Sequence, residues 1–576
     1  MVNHTPGGPT AHVDNFAADN LPPKDQWPEF DFGSLAILQA YPDRMNAGVE
    51  LLDHMCENGH AGSPVLHYED TTWTYAELRE VADRIAKVLV EDHGLVPGNR
   101  VLLRSANNPM LVACWCAVLK AGGICVTTMQ LLRARELVYI VEKAEIRHAL
   151  CDISLAEAME ETCQRKPELA HTMYFTATAE GGASLDTAIA DKAAGFDNCD
   201  TSADDTALIA FTSDTTGSPK ATMHFHRDVI AMADCFPRSF TMAEPHDIFT
   251  GTPPLAFTFG LGGLTCFPMR FGASTRFFPG PLGPEDMMAA IEKYGITGLY
   301  TAPTMYRQLA DLADKYDISS LEKCVSAGET LPKATWEAFH KATGIRIVDG
   351  LGSTEMIHIF VSASREDMRA GFTGKAIPGY RAKIVDEDGN ELPPGNTGFL
   401  AVQGPTGCRY LADERQGVYV KDGWNYPGDV YEMNEDGYFR YVARADDMII
   451  SAGYNISGPE VENALLDHQA VAECAVIGVE DLIKGQLPVG FLVLNAGTVK
   501  AGADIVGEVV QMVRDRIGPV AAFKQAVVVE RLPKTRSGKI LRGTMQAIAD
   551  NKEWKTPATI DDPAILGEID EALQTL

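Results

Sequence analysis

The chain has 576 residues, of which 45% are hydrophobic and 22% charged, and its formal net charge at pH 7 is -30. At ~150 residues per domain, this length predicts three or four structural units. The acidic balance argues against nucleic acid as a partner, because phosphate backbones bind basic faces.

Two further features of the composition bear on location and on metals. Residues 1–31 are polar and lack the apolar core of a signal peptide, and no uncharged apolar stretch reaches the ~18 residues of a membrane span. A cytoplasmic location is therefore expected. The 12 cysteines are scattered and none forms a Cys-x-x-Cys pair, which argues against a zinc site.

Helical and strand-like patterns alternate along the first part of the chain. Thr74 and Glu77 have the spacing of a capping box, which predicts the start of a helix that runs to about Val90. Residues 100–103 are typical of a buried strand, and residues 110–119 predict an apolar helix that ends at two glycines. This alternation predicts parallel sheets covered by helices.

A polar loop with the composition of a phosphate site follows the next apolar run, residues 207–211. The stretch from Phe211 to Lys220 combines hydroxyl side chains, one glycine and one lysine. Hydroxyls and backbone N–H groups donate to phosphate oxygens, and the lysine adds charge. The loop lacks the Gly-Lys-Ser/Thr of P-loop proteins, and taken alone it also fits a polar connection between a strand and a helix.

A second motif runs from Asp349 to Glu355 and follows a strand predicted at residues 345–348. Its glycines allow a backbone to approach a ligand closely. Thr354 can reach phosphate, and Glu355 offers the hard oxygen that Mg²⁺ prefers. Taken alone, a glycine turn before a helix N-terminus explains the motif equally well.

Three more motifs follow in the last third of the chain. Asp429 comes after a Pro-Gly turn, where a short carboxylate can hold ribose hydroxyls. Residues 444–456 form a charged turn that leads into a strand, and Lys539 lies on a glycine-hinged loop from which it can enter a cleft. A lysine placed in this way stabilises negative charge in a transition state.

The pattern changes near residues 443–447, which is the best candidate for a domain boundary. Beyond it, a strand at 448–450, a helix at 459–466 and a strand at 471–479 are predicted. About 130 residues are enough for a small α+β lid domain. We therefore predict an N-terminal domain of residues 1–444 and a C-terminal domain of residues 445–576.

The five motifs occur between residues 211 and 540 in the order found in the adenylate-forming superfamily, and nearly the whole chain resembles its acyl-CoA synthetases. The resemblance implies an α/β fold, in which a large N-terminal domain of helix-covered sheets carries a small mobile α+β C-terminal domain. It also implies ATP, Mg²⁺ and coenzyme A as cofactors and co-substrates, and either a monomer or a homodimer. The implied ATP- and AMP-binding residues are Ser213, Thr215, Thr216, Gly217, Lys220, Gly328, Glu329, Asp349, Gly350, Leu351, Gly352, Ser353, Thr354, Asp429 and Arg444.

The resemblance also implies roles in a reaction of two steps. A carboxylate attacks the α-phosphorus of ATP, which gives acyl-AMP and pyrophosphate. The thiolate of coenzyme A then attacks the acyl carbon, and AMP leaves. The implied catalytic residues are Lys539, Thr354 and the Mg²⁺ ligand Glu355, with Asp446 as the hinge between the steps and Gly453 and Tyr454 as the segment that lines the coenzyme A tunnel.

The loops at residues 222–228 and 352–360 look most like the benzoate and 2-aminobenzoate CoA ligase branch, which implies a small aromatic acid. The implied acyl-pocket residues are His226, Phe257, Phe259, Gly262, Ala302 and Leu351. Three alternatives stay open: a short- or medium-chain aliphatic acid, an adenylation enzyme that loads a separate carrier protein, and a nucleotide-binding pseudoenzyme. The last is motivated by Asp214, which stands where the family usually has glycine and brings a carboxylate next to the expected phosphates.

Overall fold

The computed structural model describes residues 4–212, 219–445, 447–451, 454–499, 502–517, 523–535, 538–554, 556–557 and 560–574. Its α-helices are α1 Phe16–Asp19, α2 Ala36–Gln39, α3 Tyr75–Lys87, α4 Pro109–Lys120, α5 Ala134–Lys143, α6 Ala156–Arg165, α7 Ser184–Ala190, α8 His226–Ser239, α9 Thr258–Leu261, α10 Phe267–Arg270, α11 Pro284–Tyr294, α12 Pro303–Ala310, α13 Lys333–Thr343, α14 Gln416–Tyr419, α15 Gly458–Leu466, α16 Gly502–Arg516, α17 Arg542–Ala549 and α18 Ile565–Leu573.

The strands begin with β1 Pro64–Tyr68, β2 Thr71–Thr74, β3 Arg100–Arg104, β4 Ile124–Thr128, β5 His148–Asp152, β6 His171–Phe175, β7 Thr206–Phe211, β8 Ala221–Phe225, β9 Ile248–Gly251, β10 Ser274–Phe277, β11 Gly298–Thr301, β12 Lys323–Ala327 and β13 Val348–Gly352. They continue with β14 Ile359–Ser362, β15 Lys375–Ala376, β16 Arg381–Val385, β17 Thr397–Gln403, β18 Val420–Lys421, β19 Trp424–Asn425, β20 Asp429–Met433, β21 Phe439–Arg444, β22 Ile449–Ser451, β23 Tyr454–Ile456, β24 Val471–Asp481, β25 Gly485–Leu494 and β26 Gln525–Val528.

The predicted capping box at the start of α3 is present. The Thr74 hydroxyl accepts a hydrogen bond from the Glu77 backbone N–H at 3.2 Å. The Glu77 carboxylate in turn accepts from the Thr74 N–H at 2.7 Å. Each partner therefore satisfies a backbone donor that the first helical turn leaves open.

The first sheet has six strands in the order β6-β5-β3-β4-β7-β8. Its pairs are parallel except for β7 and β8, which are antiparallel. Helix α4 is buried along its whole length, and its N-terminus is capped by the Asn108 side chain. A helix that is apolar on all sides belongs in the interior of a large protein, and the predicted pattern of helix-covered parallel strands is confirmed here.

The second sheet has nine strands in the order β15-β14-β13-β12-β11-β9-β10-β1-β2. The strands from β13 to β1 in this order pair in parallel, and antiparallel strands complete both edges. In the register of β12 and β13, Ala327 pairs with Gly350. The segments after Ala327 and around Gly352 therefore meet at the carboxyl edge of this sheet, where ligands bind in α/β proteins.

A third, antiparallel sheet has the order β18-β19-β17-β20-β21, with β16 added on β17. In its β20–β21 pair, Asp429 lies opposite Arg444. The fourth sheet, in the order β23-β22-β25-β24 with β26 parallel to β25, belongs to the last part of the chain. Helices α15 and α17 pack against β24, and α16 packs against β26.

The buried apolar clusters divide the chain between residues 439 and 449. Within the described ranges, the clusters built from residues 17–439 contain no residue beyond this gap. The clusters that begin at Ile449 contain none before it. The boundary that we predict at 444/445 falls in this gap, and we keep it as a proposal. No helix in the described part of the chain is long and apolar enough to cross a membrane.

Candidate nucleotide and acid site

The predicted phosphate loop joins two antiparallel strands. Phe211 pairs with Ala221 across β7 and β8, and the Thr212 N–H donates to the Lys220 carbonyl at 2.8 Å. The alternative interpretation as a strand-to-helix connection is therefore wrong, because a strand intervenes before helix α8. The candidate ligands Ser213, Thr215, Thr216 and Gly217 lie outside the described residues, as does Asp214.

The motif that ends in Glu355 is held by side chains from three other segments. His224 donates through Nε2 to the Thr354 carbonyl at 2.7 Å. The Tyr419 hydroxyl and Ser353 Oγ lie 2.9 Å apart, and the Tyr410 hydroxyl donates to Glu355 Oε1 at 2.6 Å. The predicted phosphate contact and the predicted metal carboxylate therefore have fixed positions.

Glu355 suits a magnesium ion in one specific respect. Its side chain is buried, and among the described residues only Tyr410 donates to its carboxylate, at Oε1. The second oxygen is thus left for another ligand, and a carboxylate oxygen is the donor type that Mg²⁺ prefers.

Packing within the sheet explains the glycines of this motif, whereas the sequence predicts them from the close approach of a ligand to the backbone. Strand β13 extends through them to Gly352, whereas the sequence predicts a strand only at 345–348. A Cβ on Gly350 would overlap the Ile359 side chain, and one on Gly352 would lie 2.8 Å from the His358 backbone carbonyl. Close packing on β14 therefore already requires glycine at both positions.

Asp349 lies at the start of this motif and is buried. Burial raises its pKa to about 8, although the Gly350 backbone N–H and the Thr373 hydroxyl act in the opposite direction. The charges of Asp349 and Asp429 both act on the buried Tyr431. The two carboxyl groups therefore border the same part of the site.

The predicted ribose pair is assembled by the β20–β21 pairing. Arg444 Nη1 lies 3.4 Å from Asp429 Oδ1 and donates to the Pro427 carbonyl at 2.9 Å. Gly428 has a φ of +85°, which favours glycine, and a Cβ there would lie 3.0 Å from the Arg444 guanidinium. The Pro-Gly turn thus gives the arginine its place beside Asp429.

The loop of Lys539 faces the Glu329 segment. Burial raises the pKa of the Glu329 carboxyl, and the positive charges of Lys534, Arg542 and Lys539 oppose the rise. A Cβ on Gly538 would lie 3.6 Å from the Glu329 carboxylate. The structure therefore brings the predicted catalytic lysine to the segment after β12, next to Gly328.

Two hydrogen bonds between Thr535 and Lys539 close the loop that carries the lysine. The Thr535 N–H donates to the Lys539 carbonyl at 2.8 Å, and the Lys539 N–H donates to Thr535 Oγ1 at 3.1 Å. The predicted hinge Asp446 and the predicted tunnel residue Gly453 lie outside the described residues. For Tyr454 the structure describes the strand β23 to which it belongs and not the side chain.

An aromatic box stands at the predicted acyl pocket, and its centre is His358. The centroid of the imidazole ring lies 4.5 Å from that of Phe267, 5.7 Å from Phe236 and 5.8 Å from Phe259. A Cβ on Gly262 would overlap the His358 ring. Residues 262–266 form a π-helical turn between α9 and α10, a local irregularity that is frequent at functional sites.

His358 is neutral in this box. Burial lowers its pKa to about 3, and the Phe259 backbone offsets only part of the effect. Both ring nitrogens are buried, and neither has a hydrogen-bond partner of good geometry among the described residues. A buried polar group without a partner costs free energy, so these nitrogens are candidate contacts for a ligand.

The other predicted pocket residues divide into two groups. Phe259 and Gly262 contact the box directly. Ala302 is the N-cap residue of α12 and follows two residues after Tyr300, whose ring lies 5.7 Å from that of Phe259. Leu351 packs against the apolar cluster that contains Tyr300. Phe257 precedes α9 and is half-buried.

His226 does not belong to this group. It lies at the N-terminus of α8, more than two helical turns before Phe236, and its Nδ1 accepts from the Ala47 N–H at 3.0 Å. Burial lowers its pKa to about 3. The aromatic box is reached by the other end of the helix, and the role of His226 as a pocket residue stays a prediction.

The contacts of His358, His224, Tyr410 and Tyr419 are not predicted from the sequence. His358 carries a usable signal, because it is the one titratable residue in the apolar run 356–361 directly after Glu355. His224 and the two tyrosines carry none, since their partners are 55 to 130 residues away in the chain.

Two family models match this chain. A family model described as "AMP-binding enzyme" matches residues 53–410, and one described as its C-terminal domain matches residues 460–539. A benzoate–CoA ligase from Thauera aromatica is 31% identical over 512 residues, which cover 87% of this chain and 95% of the relative.

Two solved structures are also similar. An anthranilate CoA ligase in complex with anthranoyl-AMP has a TM-score of 0.84 and 30% identity, and the match covers 89% of this chain and 98% of the other. A benzoate CoA ligase from Burkholderia xenovorans LB400 has a TM-score of 0.78 and 28% identity, with 87% and 99% covered.

Proposed function

The chain belongs to the AMP-binding enzyme family, and from this premise we propose that its substrate is a small aromatic carboxylic acid of the benzoate or 2-aminobenzoate type. It is an acid–thiol ligase that forms AMP and uses ATP and coenzyme A. The box of aromatic rings around the buried, neutral His358 is the one observation that carries this choice of acid.

The box favours a flat ring for two physical reasons. Aromatic side chains prefer offset or edge-to-face contacts with other rings, and Phe267 already meets the imidazole edge-on at an interplanar angle of 68°. Phe236 and Phe259 pack on other sides of the imidazole, and Phe259 in turn meets the Tyr300 ring edge-on, so the walls of the proposed pocket are aromatic. The names of the similar benzoate and anthranilate ligases support the same choice.

His358 also offers the pocket a polar contact. A neutral imidazole has one donor and one acceptor nitrogen, and both are without a partner of good geometry among the described residues. The amino group of a 2-aminobenzoate can donate to the acceptor nitrogen. A pocket with one polar group in apolar walls gives orientation as well as affinity.

The proposed roles follow the two steps of the reaction. In the first step the acid's carboxylate oxygen bonds to the α-phosphorus of ATP, and the bond to the pyrophosphate oxygen breaks. Lys539, whose loop faces Glu329, neutralises charge as it develops on the phosphate oxygens. A magnesium ion held by Glu355 supplies further charge neutralisation when it is bound. Asp429 and Arg444 hold the ribose.

In the second step the thiol of coenzyme A gives its proton to solvent and its sulfur bonds to the acyl carbon, while the bond between that carbon and the phosphate oxygen breaks and AMP leaves with the electron pair. We propose that the C-terminal domain, with its boundary at 444/445, rotates about Asp446 between the steps. Such a rotation removes Lys539 from the site and brings Gly453 and Tyr454 to it. One mobile domain then serves both steps, which is a gating role.

A panel of acids tests the proposal. The protein is incubated with ATP, Mg²⁺ and benzoate, 2-aminobenzoate, acetate, hexanoate or octanoate, with and without coenzyme A. Pyrophosphate release and acyl-CoA mass are measured. We expect kcat/KM for an aromatic acid to exceed that for each aliphatic acid by at least about tenfold, the size of one good contact.

The same panel separates the alternatives. Faster turnover of an aliphatic acid would contradict the proposed pocket. Pyrophosphate release with acyl-AMP that accumulates in the presence of coenzyme A would indicate loading of a separate carrier protein. No release with any acid would indicate a nucleotide-binding pseudoenzyme.

A further inference from the structure

Tyr410 lies behind the proposed metal carboxylate and is almost fully buried. Its hydroxyl donates to Glu355 Oε1 at 2.6 Å, a distance typical of a charge-assisted O–H···O bond. A phenol carries one O–H donor and an ionised carboxylate only accepts, so the direction of this hydrogen bond follows from the two groups and their distance.

The same ring also lies next to the phosphate-loop lysine. Lys220 Nζ is 5.7 Å from the centroid of the Tyr410 ring, within the range of a cation–π contact. On another side, the Tyr419 ring meets it edge-on at 5.9 Å. One side chain thus contacts the proposed metal ligand through its hydroxyl and the proposed phosphate ligand through its π face.

The backbone of Tyr410 is anchored independently of both contacts. Its N–H donates to the Gln416 Oε1 at 2.9 Å, and it forms a β-bridge with Thr222 in strand β8. Gln416 donates in turn to the Cys408 carbonyl at 3.1 Å. Removal of the hydroxyl therefore leaves the position of the ring unchanged.

We propose that Tyr410 is a positioning residue that fixes the Glu355 carboxylate for the metal and couples it to Lys220. With Oε1 accepting from the phenol, Oε2 is the oxygen that would hold a metal ion, which would supply charge neutralisation at the ATP phosphates, and Lys220 lies over the same ring. This inference rests on the proposed role of Glu355 as the metal carboxylate.

The test measures ATP binding by calorimetry, in Mg²⁺ and in EDTA, without any acid. The ratio of the two dissociation constants is the metal-dependent gain in affinity. We expect Tyr410→Phe to reduce this gain about tenfold, because a hydrogen bond to a charged group is lost. Its affinity for ATP in EDTA should stay as in the wild type, because the ring that faces Lys220 is kept.

Two further variants make the result specific. Tyr380→Phe is a matched control, because Tyr380 is also buried and its hydroxyl lies 2.8 Å from Thr406 Oγ1; we expect it to keep the full metal-dependent gain. Tyr410→Leu removes ring and hydroxyl together, and should also weaken ATP binding in EDTA by about threefold, the order of one partly exposed cation–π contact. Thermal midpoints without ligand show that each variant is folded.

The results distinguish the positioning role of Tyr410 from the role of Glu355 as the metal carboxylate. If Glu355→Gln loses the metal-dependent gain while Tyr410→Phe keeps it, the positioning role is refuted and the metal carboxylate stands. If Glu355→Gln itself keeps the gain, the assignment of Glu355 fails, and the inference fails with it. ATP binding in EDTA that is the same in Tyr410→Leu and in Tyr410→Phe would refute the coupling to Lys220.

Discussion

The buried carboxyl of Asp349 makes the stability of the protein depend on pH in a defined direction. Its pKa in the folded protein is raised from 3.8 to about 8 by burial. In the unfolded chain the group loses its proton near the ordinary value. Between these two pH values the unfolded state binds fewer protons than the folded state, so stability falls as pH rises.

The size of the effect follows from the shift. One pH unit within this window corresponds to about 1.4 kcal/mol for a single group. Over the whole window the sum is about 6 kcal/mol, an upper limit because structural relaxation reduces it. The entropy of unfolding is about 2.1 cal/mol/K per residue, or roughly 0.9 kcal/mol/K for the proposed domain of residues 1–444, so a slope of roughly 1.5 °C per pH unit is expected.

Asp349→Asn removes the titrating group and keeps the shape of the side chain. We expect its melting temperature, measured relative to the wild type in scans at one heating rate, to rise steadily from pH 5 to pH 8. Asp388→Asn, which changes an exposed carboxylate in the loop before β17, is the control and should show no such trend. A constant difference between Asp349→Asn and the wild type across this range would refute the reasoning.

Three further variants test separate parts of the site. Gly262→Ala places a methyl group on the His358 ring and should lower kcat/KM for the aromatic acid by at least about tenfold through overpacking, while ATP binding stays unchanged. In the control Gly507→Ala the methyl group meets open space, so both kcat/KM and ATP binding should stay unchanged. An equal loss of kcat/KM in the two variants would contradict the proposed pocket. Lys539→Ala should slow pyrophosphate release by about 10²-fold or more, the usual loss for one charge-stabilising group, yet spare thioester formation from supplied acyl-AMP; an equal loss in both half-reactions would argue against its assigned role. Asp214→Gly should lower KM for ATP about fivefold, because a like charge near the phosphates costs on the order of 1 kcal/mol, whereas a higher KM would mean that the carboxylate assists binding.

The parts of the molecule that the sequence predicts correctly depend on local patterns. The Thr74–Glu77 capping box involves residues three positions apart, and α4 shows its burial in an unbroken apolar run. The α/β class follows from alternation of the same kind. The order of the motifs indicates the family, because each one is short and contiguous.

The parts that fail depend on contacts between distant segments. The strand expected at 345–348 lies at 348–352, since pairing with β12 and β14 decides its register. His226 and Phe236 lie on the same helix, α8, but at 1.5 Å per residue the helix separates them by more than about 10 Å, and Phe236 is the one that reaches the aromatic box. Tyr410 meets Glu355 across 55 residues, and no local pattern encodes such a pair.

The aromatic box and the proposed nucleotide site share very little of the described chain. The box is built from α8, the helical segment around the π turn and His358. The nucleotide side is built from the end of β13, the β20–β21 pair and the Lys539 loop. Among the described residues, the short stretch from Leu351 to His358 belongs to both proposed sites. Substitutions at positions such as 262 would therefore alter the proposed acid pocket of a descendant of this chain, while the proposed nucleotide site would be inherited unchanged.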